Sequence, residues 1–409
     1  MDALATVDLA RIRAAAAVGA GVVRETPVLS SRTLSERVGG AVALKAESLQ
    51  RTGSFKLRGA LAKLAALGED GCRAGVVAGS AGNHGLAVAY AARERGVPCE
   101  IVMPAQAPIT KVEACRAAGA SVRLVPGSVD DAIAAARERA AGGGLAFVHP
   151  YDDPDIVAGQ GGVGLELAAQ LAQLACVLVP LGGGGLASGV AIAVKALRPD
   201  VRVIGVQAER CAAFPASLAR ATPVAVQAPP LTIADGIAVK RPGELTLALV
   251  RRWVDAVVTV AEDDIAEAMV LLLEHSRLVV EGAGAVGVAA LLSGAVVPAG
   301  EGTTAVVLSG GNVDVGLLAS VARRHETVVG RRLVLVTTLA DRPGELGRLL
   351  GLIAAQGANL LDVVHMREGV ALHVRETAVQ LAVETRDRDH AHAVQSALAE
   401  AGYTLRTLD

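Results

Sequence analysis

A chain of 409 residues with 52% hydrophobic side chains has room for two or three domains with large buried cores. Its formal net charge of −2 carries none of the basic excess that nucleic acid or an anionic bilayer calls for, so neither is an expected partner. Aromatic residues make up 2% of the chain, which leaves the packing to Val, Leu, Ala and Ile.

The N-terminal stretch reads as helix from residue 8, a turn at Thr26-Pro27, and helix again to Gly39-Gly40. Val42 to Leu49 alternates as a strand. It leads into Thr52-Gly53-Ser54-Phe55-Lys56-Leu57-Arg58-Gly59-Ala60. Ser54 is a good helix N-cap, which puts Lys56 in the first turn of the next helix. The positive end of a helix favours the uncharged form of an amine, and a neutral lysine is a nucleophile that can form a Schiff base. Taken alone, the stretch is better read as a surface lysine opening an amphipathic helix, since lysines are mostly exposed.

From there apolar runs alternate with amphipathic stretches. The runs are Val76-Ala78, Glu100-Met103, Ser121-Val125, Ala146-His149, Cys176-Pro180 and Arg202-Val206, with helical stretches such as Asn83-Arg95 and Val129-Ala141 between them. This predicts an α/β fold of parallel sheets covered by helices, with ligands at the strands' carboxyl ends. Three further motifs follow apolar strands: Ser80-Ala81-Gly82-Asn83-His84-Gly85, Gly182-Gly183-Gly184-Gly185-Leu186, and Ser309-Gly310-Gly311-Asn312 after Thr303-Leu308. All four can therefore converge on one crevice. Glycines let backbone N–H groups approach an anion, and a helix N-terminus adds its dipole. Gly182-x-Gly184-x-x-Ala187 also fits a dinucleotide fingerprint, with Glu209 as the ribose acid, although Gly282-x-Gly284-x-x-Gly287 fits the same loose pattern.

Near residue 325 the pattern changes, and Thr327-Gly330 reads as a linker. The tail is predicted as strand Leu333-Leu339, helix Gly344-Gln356, strand Asn359-Met366, strand Thr377-Glu384, helix Asp389-Ala401 and strand Tyr403-Leu408, a ferredoxin-like βαββαβ order. The expected domains are 1–326, with a smaller subdomain of about 75–152 inserted, a linker at 327–331, and 332–409. The five cysteines are widely spaced, and Met1-Asp2-Ala3-Leu4 opens no basic segment ahead of an apolar core. A cytoplasmic protein with reduced thiols, no secretory leader and no membrane span is expected. Glu262-Asp263-Asp264 suits a first helical turn, and no His-Glu-x-x-His or paired-cysteine metal site is present.

The four motifs in this order, with Asp153-Pro154-Asp155, Ala158-Gly159-Gln160-Gly161 and Glu281-Gly282-Ala283-Gly284-Ala285, resemble the fold-type II (tryptophan synthase β-like) pyridoxal-phosphate enzymes over about residues 8 to 320. The likeness is strongest to the threonine dehydratases, or threonine ammonia-lyases. The tail, with Asp341-Arg342-Pro343-Gly344-Glu345-Leu346 and Gly357-Ala358-Asn359, is similar to an ACT domain.

The resemblance implies pyridoxal 5'-phosphate as cofactor, with Lys56 as its anchor and as the base for the Cα proton of an amino-acid substrate. It implies β-elimination from L-threonine, and from L-serine, to the 2-oxo acid and ammonia. Phe55, Gly182, Gly183, Gly184, Gly185 and Leu186 would hold the cofactor and its phosphate, Asn83 its ring hydroxyl, and Ser309 its ring nitrogen. A neutral hydroxyl at that nitrogen makes a weaker electron sink, which favours rapid loss of a β-leaving group. Glu281 is placed against the cofactor. Ser54, Ser80, Ala81, Gly82 and His84 would bind substrate, with the backbone N–H groups from Ala81 to His84 as a nest for its carboxylate. His84 also reads as a structural residue.

Racemases of this family have Ser-Ser-Gly-Asn-His in that loop. Ala81 stands here where their second serine serves the opposite face, so dehydration without racemisation is expected. Related enzymes hold a divalent cation with a Glu beyond the strand corresponding to Val203-Val206; Gln207 stands there, and no metal is expected. The tail implies a homodimer or homotetramer and an amino-acid or nucleotide effector at Asp341, Pro343, Gly344 and Glu345, isoleucine first because 2-oxobutanoate feeds its synthesis. A mere assembly module is the other reading of the tail. Serine racemase, another hydroxy-amino-acid dehydratase, a nucleotide-binding oxidoreductase and a catalytically silent amino-acid sensor are the alternatives for the whole chain.

Overall fold

The computed structural model describes residues 6–226, 232–367 and 372–407. Contacts divide the chain into two compact units, Met1–Val313 and Asp314–Asp409. In chain order the first unit holds strands β1 (Val28–Ser30), β2 (Val42–Lys45), β3 (Val76–Gly79), β4 (Cys99–Pro104), β5 (Ser121–Val125), β6 (Ala146–Phe147), β7 (Leu174–Pro180), β8 (Arg202–Ala208), β9 (Ala256–Val260) and β10 (Thr303–Val307).

Six of these strands make the larger sheet in the order β1-β2-β10-β7-β8-β9, parallel except for β1 on β2. Its centre is β7 and β10, whose apolar, β-branched runs are buried on both faces, as a helix-covered parallel sheet demands. β5-β4-β3-β6 form the smaller sheet, wholly parallel, within residues 76–147. Each sheet has its own core: Val177, Val179, Val190, Val203 and Phe214 in the larger, Val76, Ala87, Ile101 and Met103 in the smaller.

Two strands differ from the sequence reading. β1 lies in the stretch read as turn and helix, and β9 has no counterpart in that reading. Both are short, half-exposed edge strands, and three to five residues leave too little periodicity to read.

The second unit holds a helix (Val315–Val328), β11 (Arg332–Ala340), a helix (Glu345–Ala355), β12 (Asn359–Met366), β13 (Glu376–Glu384), a helix (Arg388–Glu400) and β14 (Leu405–Thr407). The antiparallel sheet runs β12-β13-β11-β14, the ferredoxin-like arrangement. Leu349 and Ile353 of one helix and Val394 and Leu398 of another pack with Leu335, Val379 and Leu381 of the sheet. The boundary therefore falls between Val313 and Asp314, not at the expected linker of 327–331. The stretch read as the end of the first domain is a helix, capped by Asp314, that contacts β11.

Candidate active site

β2 ends at Lys45, and a 3-10 turn, Glu47–Leu49, carries the chain to Gly53. Gly53 has φ +72°, and a Cβ there would run into Asn312. Ser54 then bridges antiparallel to Gly310, and Phe55 N–H donates to Ser309 O at 3.1 Å. The lysine loop and the serine loop are thus one stitched unit.

The N-cap expectation for Ser54 is corrected. Phe55 is the cap of the helix Lys56–Cys72, and Ser54 Oγ is buried with no hydrogen-bond partner. Lys56 is nevertheless the first helical residue. Its Nζ donates to Pro150 O at 2.8 Å and lies 5.2 Å from the Phe55 ring centroid. Burial pulls its pKa down to about 8, against the Glu281 charge, which raises it. Desolvation is the main cause here, where the sequence reading relied on the helix end.

Arg58, two residues on, anchors that helix from below. Its Nε and Nη2 donate to Glu47 at 2.9 and 2.8 Å, and Nη1 donates to Glu166 at 2.5 Å. Lys45 Nζ donates to the same Glu166 at 2.5 Å, to Thr26 O at 2.7 Å and to Gln170 Oε1 at 2.9 Å. Burial by itself would raise the Glu47 carboxyl, but Arg58 more than offsets this and holds it below the ordinary range. Two cations and two carboxylates satisfy one another, which is the condition for keeping such charges in a core.

A cavity of about 590 Å³ opens above Lys56, lined also by Ser80–His84, Gly182–Leu186, Glu281 and Ser309. All four motif loops meet there. Gly182–Gly185 runs from the end of β7 into the helix Gly185–Leu197. Side chains would fill this cradle: a Cβ on Gly183 would enter the Tyr151 ring, and one on Gly184, which has φ +96°, would lie 2.9 Å from Phe214 and Thr246. A bare backbone at the start of a 13-residue helix can receive an anionic group such as a phosphate.

Opposite, Asn83 opens the helix Asn83–Glu94 and donates through Nδ2 to Glu281 Oε1 at 2.7 Å. Glu281 is buried at the start of the helix Gly282–Leu292. Burial lifts its pKa to about 7, with Asp235 adding to the lift and the Asn83 bond opposing it. Ser309 is buried at the end of β10. Ser80 Oγ accepts from Gly82 N at 3.1 Å, a bond that a carboxylate would displace to use that donor. His84 hydrogen-bonds Val148 O through Nε2 at 3.0 Å, and burial drives its pKa down to about 3, so the ring is neutral and structural. Phe55, Ala81 and Leu186 complete the wall.

Several lining residues were not identified as site residues from sequence. Tyr151 packs against Gly183 and Gly185, and its hydroxyl donates to Arg241 O at 3.1 Å. Gln160 lies in a quoted motif, but its buried Oε1, without a partner, could not be foreseen. Asp235 pairs with Lys111 at 3.3 Å and Lys240 with Asp130 at 2.5 Å, two ion pairs joining the smaller subdomain to the larger. Only the tertiary fold brings these together. Gln207, at the questioned metal position, donates to Leu181 O and accepts from Phe214 N, both at 3.0 Å.

In the second unit, Gly344 caps the helix Glu345–Ala355 with φ +93°, and a Cβ there would meet open space. Asp341 beside it accepts two hydrogen bonds from Arg367, at 2.6 and 3.0 Å, which hold its carboxyl low. Pro343 lies in the same turn, and Glu345 opens the helix. Among the described residues no helix is long and apolar enough to cross a membrane.

A buried amine with a lowered pKa, a glycine cradle at a helix start and a buried carboxyl near neutrality make a site for amine–carbonyl chemistry on a phosphorylated group. The family model described as "Pyridoxal-phosphate dependent enzyme" matches residues 20–310. The chain is 45% identical over 385 residues to an L-threonine ammonia-lyase of Thermotoga maritima, covering 94% of this chain and 95% of that one. Among solved structures, a T.th. threonine deaminase superposes with a TM-score of 0.70 at 42% identity, covering 75% and 99% of the two chains. Maize serine racemase superposes with a TM-score of 0.73 at 35% identity, covering 79% and 99%. The dinucleotide reading of Gly182–Ala187 with Glu209 falls with these matches. The buried lysine, the cradle and the likeness over most of the chain agree: the chain belongs to the pyridoxal-phosphate dependent enzymes.

Proposed function

We propose that this chain is an L-threonine ammonia-lyase that also accepts L-serine, giving 2-oxobutanoate or pyruvate and ammonia. The observation that carries it is Lys56, a buried amine of lowered pKa in one cavity with the glycine cradle and Ser309. Bound pyridoxal 5'-phosphate supplies the electron sink that makes the substrate's Cα–H acidic. The chain does the rest. Lys56 would hold the cofactor's carbonyl group through Nζ, and the same nitrogen would take the substrate's Cα proton. Backbone N–H groups of Gly182–Leu186 would receive the phosphate, Ser309 Oγ would serve the ring nitrogen, and Asn83 Nδ2 would serve the ring hydroxyl. Ser80, Ala81 and the first turn of the helix after Gly82 bind the substrate carboxylate. Closure of the smaller subdomain excludes water.

Serine racemase is the second reading, favoured by the maize structure. Ala81 speaks against it, because it offers no hydroxyl to exchange a proton on the opposite face. The test is a turnover panel read by 2-oxo acid formation and by chiral analysis of residual serine. Keto acid from L-threonine with negligible D-serine is expected. No keto acid from any hydroxy amino acid, or D-serine formed at a comparable rate, overturns the reading.

Residues 314–409 we read as a regulatory module acting within a homodimer or homotetramer, with the loop Asp341–Glu345 taking the effector. Support comes from the ferredoxin-like fold and from a relative matched over 94% of this chain.

A further inference from the structure

We propose that Asn312 is a positioning residue: it sets which end of the Asn83 amide is turned toward the cofactor cavity. The inference rests on the reading above that pyridoxal 5'-phosphate lies against Asn83. It starts from a group whose polarity cannot change. Thr52 O, a backbone carbonyl four residues before Lys56, can only accept. Asn312 Nδ2 donates to it at 2.8 Å. The same nitrogen donates to Asn83 Oδ1 at 2.7 Å, which uses its second hydrogen. With its oxygen held there, Asn83 must present Nδ2 on the other side, where it donates to Glu281 Oε1 at 2.7 Å. Nδ2 keeps one hydrogen, and Asn83 lines the cavity.

Reversing the Asn83 amide would set its NH₂ against the Asn312 NH₂, a repulsive contact at any pH, and its carbonyl oxygen against Glu281, a second one whenever that carboxyl is ionised. One carbonyl of the lysine loop therefore fixes the donor–acceptor sense of two amides in sequence, Asn312 and then Asn83. The loop is shaped for this. Gly53, next to Thr52, lacks the Cβ that would collide with Asn312. A donor turned to the cavity suits an anionic ring oxygen, and an acceptor there would repel it. Asn312 itself need not touch the cofactor, so its effect must pass through Asn83.

The experiment is a cofactor titration of full-length apoprotein, read by absorbance and fluorescence and independent of turnover. The proteins are wild type, Asn83→Ala, Asn312→Ala, the double variant, and Asn312→Asp, which keeps the side chain's size and guards against a variant that fails to fold. Asn83→Ala is expected to weaken pyridoxal 5'-phosphate binding about tenfold or more, since a buried hydrogen bond to a charged group is lost. Asn312→Asp is expected to weaken it at least as much, because a carboxylate only accepts and draws the Asn83 amide round. The double variant should bind no more weakly than Asn83→Ala alone, as residues acting through one another are non-additive. A merely structural Asn312 would add its cost to that of Asn83. Additive losses, or wild-type affinity in both Asn312 variants beside a weakened Asn83→Ala, overturn the proposal. Wild-type affinity in Asn83→Ala overturns instead the placing of the cofactor against Asn83, and the proposal with it.

Discussion

Arg58 grips Glu47 through two hydrogen bonds, Nε to Oε2 at 2.9 Å and Nη2 to Oε1 at 2.8 Å, two residues along the helix from Lys56. Arg58→Met strands the Glu47 charge in a dry core and should cost about 3–5 kcal/mol. Arg58→Lys should recover little of this, lacking the planar fork. Because the native carboxyl titrates below its ordinary range, its pairing adds stability above the unfolded pKa and loses it as pH falls through the folded one. In the variant Glu47 escapes by protonation. The deficit in Tm should therefore be greatest near neutrality and narrow toward acid pH, as followed by thermal unfolding of the apoprotein.

Lys56 separates catalysis from stability. Lys56→Met should lower turnover by several orders of magnitude, as nucleophile and base vanish together. The native pKa of about 8 lies below the ordinary 10.5, so the unfolded state binds more protons between those values. Apoprotein stability should rise with pH across that window. The methionine variant should lose that rise and be the more stable protein at pH 7, which denaturant titrations at pH 7, 9 and 10 would check.

Glu281 acts on the same amine. Its charge raises the Lys56 pKa, so Glu281→Gln should lower the midpoint at which Lys56 becomes neutral. The pH dependence of the initial rate at which apoprotein takes up pyridoxal 5'-phosphate reports that midpoint. It should lie near 8 in the wild type and below it in the variant; an upward move would show that the two groups do not interact as the structure has them.

The four motif loops were legible because each joins a β-branched strand to a helix through small residues, a pattern that short windows carry. The βαββαβ tail was legible for the same reason. Ser54 was misread because its hydroxyl suits a cap, while its backbone is held by the serine loop around residue 310, which lies far along the chain. Arg58–Glu166, Asn312–Asn83 and Lys111–Asp235 were illegible, since each joins residues more than a hundred positions apart. A sequence states which polar side chains exist. It does not state which carbonyl or carboxylate will satisfy them.

Gly183 offers a test of the cradle. A methyl there enters the Tyr151 ring, so Gly183→Ala should weaken cofactor binding about tenfold or more through displacement of ring or loop. If steric crowding is the cause, adding Tyr151→Ala should return part of the affinity. Loss without any recovery would point instead to the backbone conformation of the loop.

The position of the helix Val315–Val328 decides where the tail can be cut. It groups with the second unit, contacts β11, and buries Val321. Ending the chain at Val313 should therefore leave a folded catalytic unit that takes up cofactor and turns over L-threonine. Ending it at Val328 should leave that helix without its strand and give a less soluble protein. An effector works only through unequal affinity for two states, so removing its binding unit removes the response and spares the basal rate. The measurement is activity against isoleucine, valine and adenine nucleotides for the intact chain, the Val313 truncation and Gly344→Asp. In the last, the φ of +93° makes any side chain strained at the loop proposed to take the effector. A response in the intact chain alone supports the regulatory reading. Equal responses in the intact and truncated chains, or none in either, would make residues 314–409 an assembly module, and comparing the sedimentation of the two proteins would then show what they assemble.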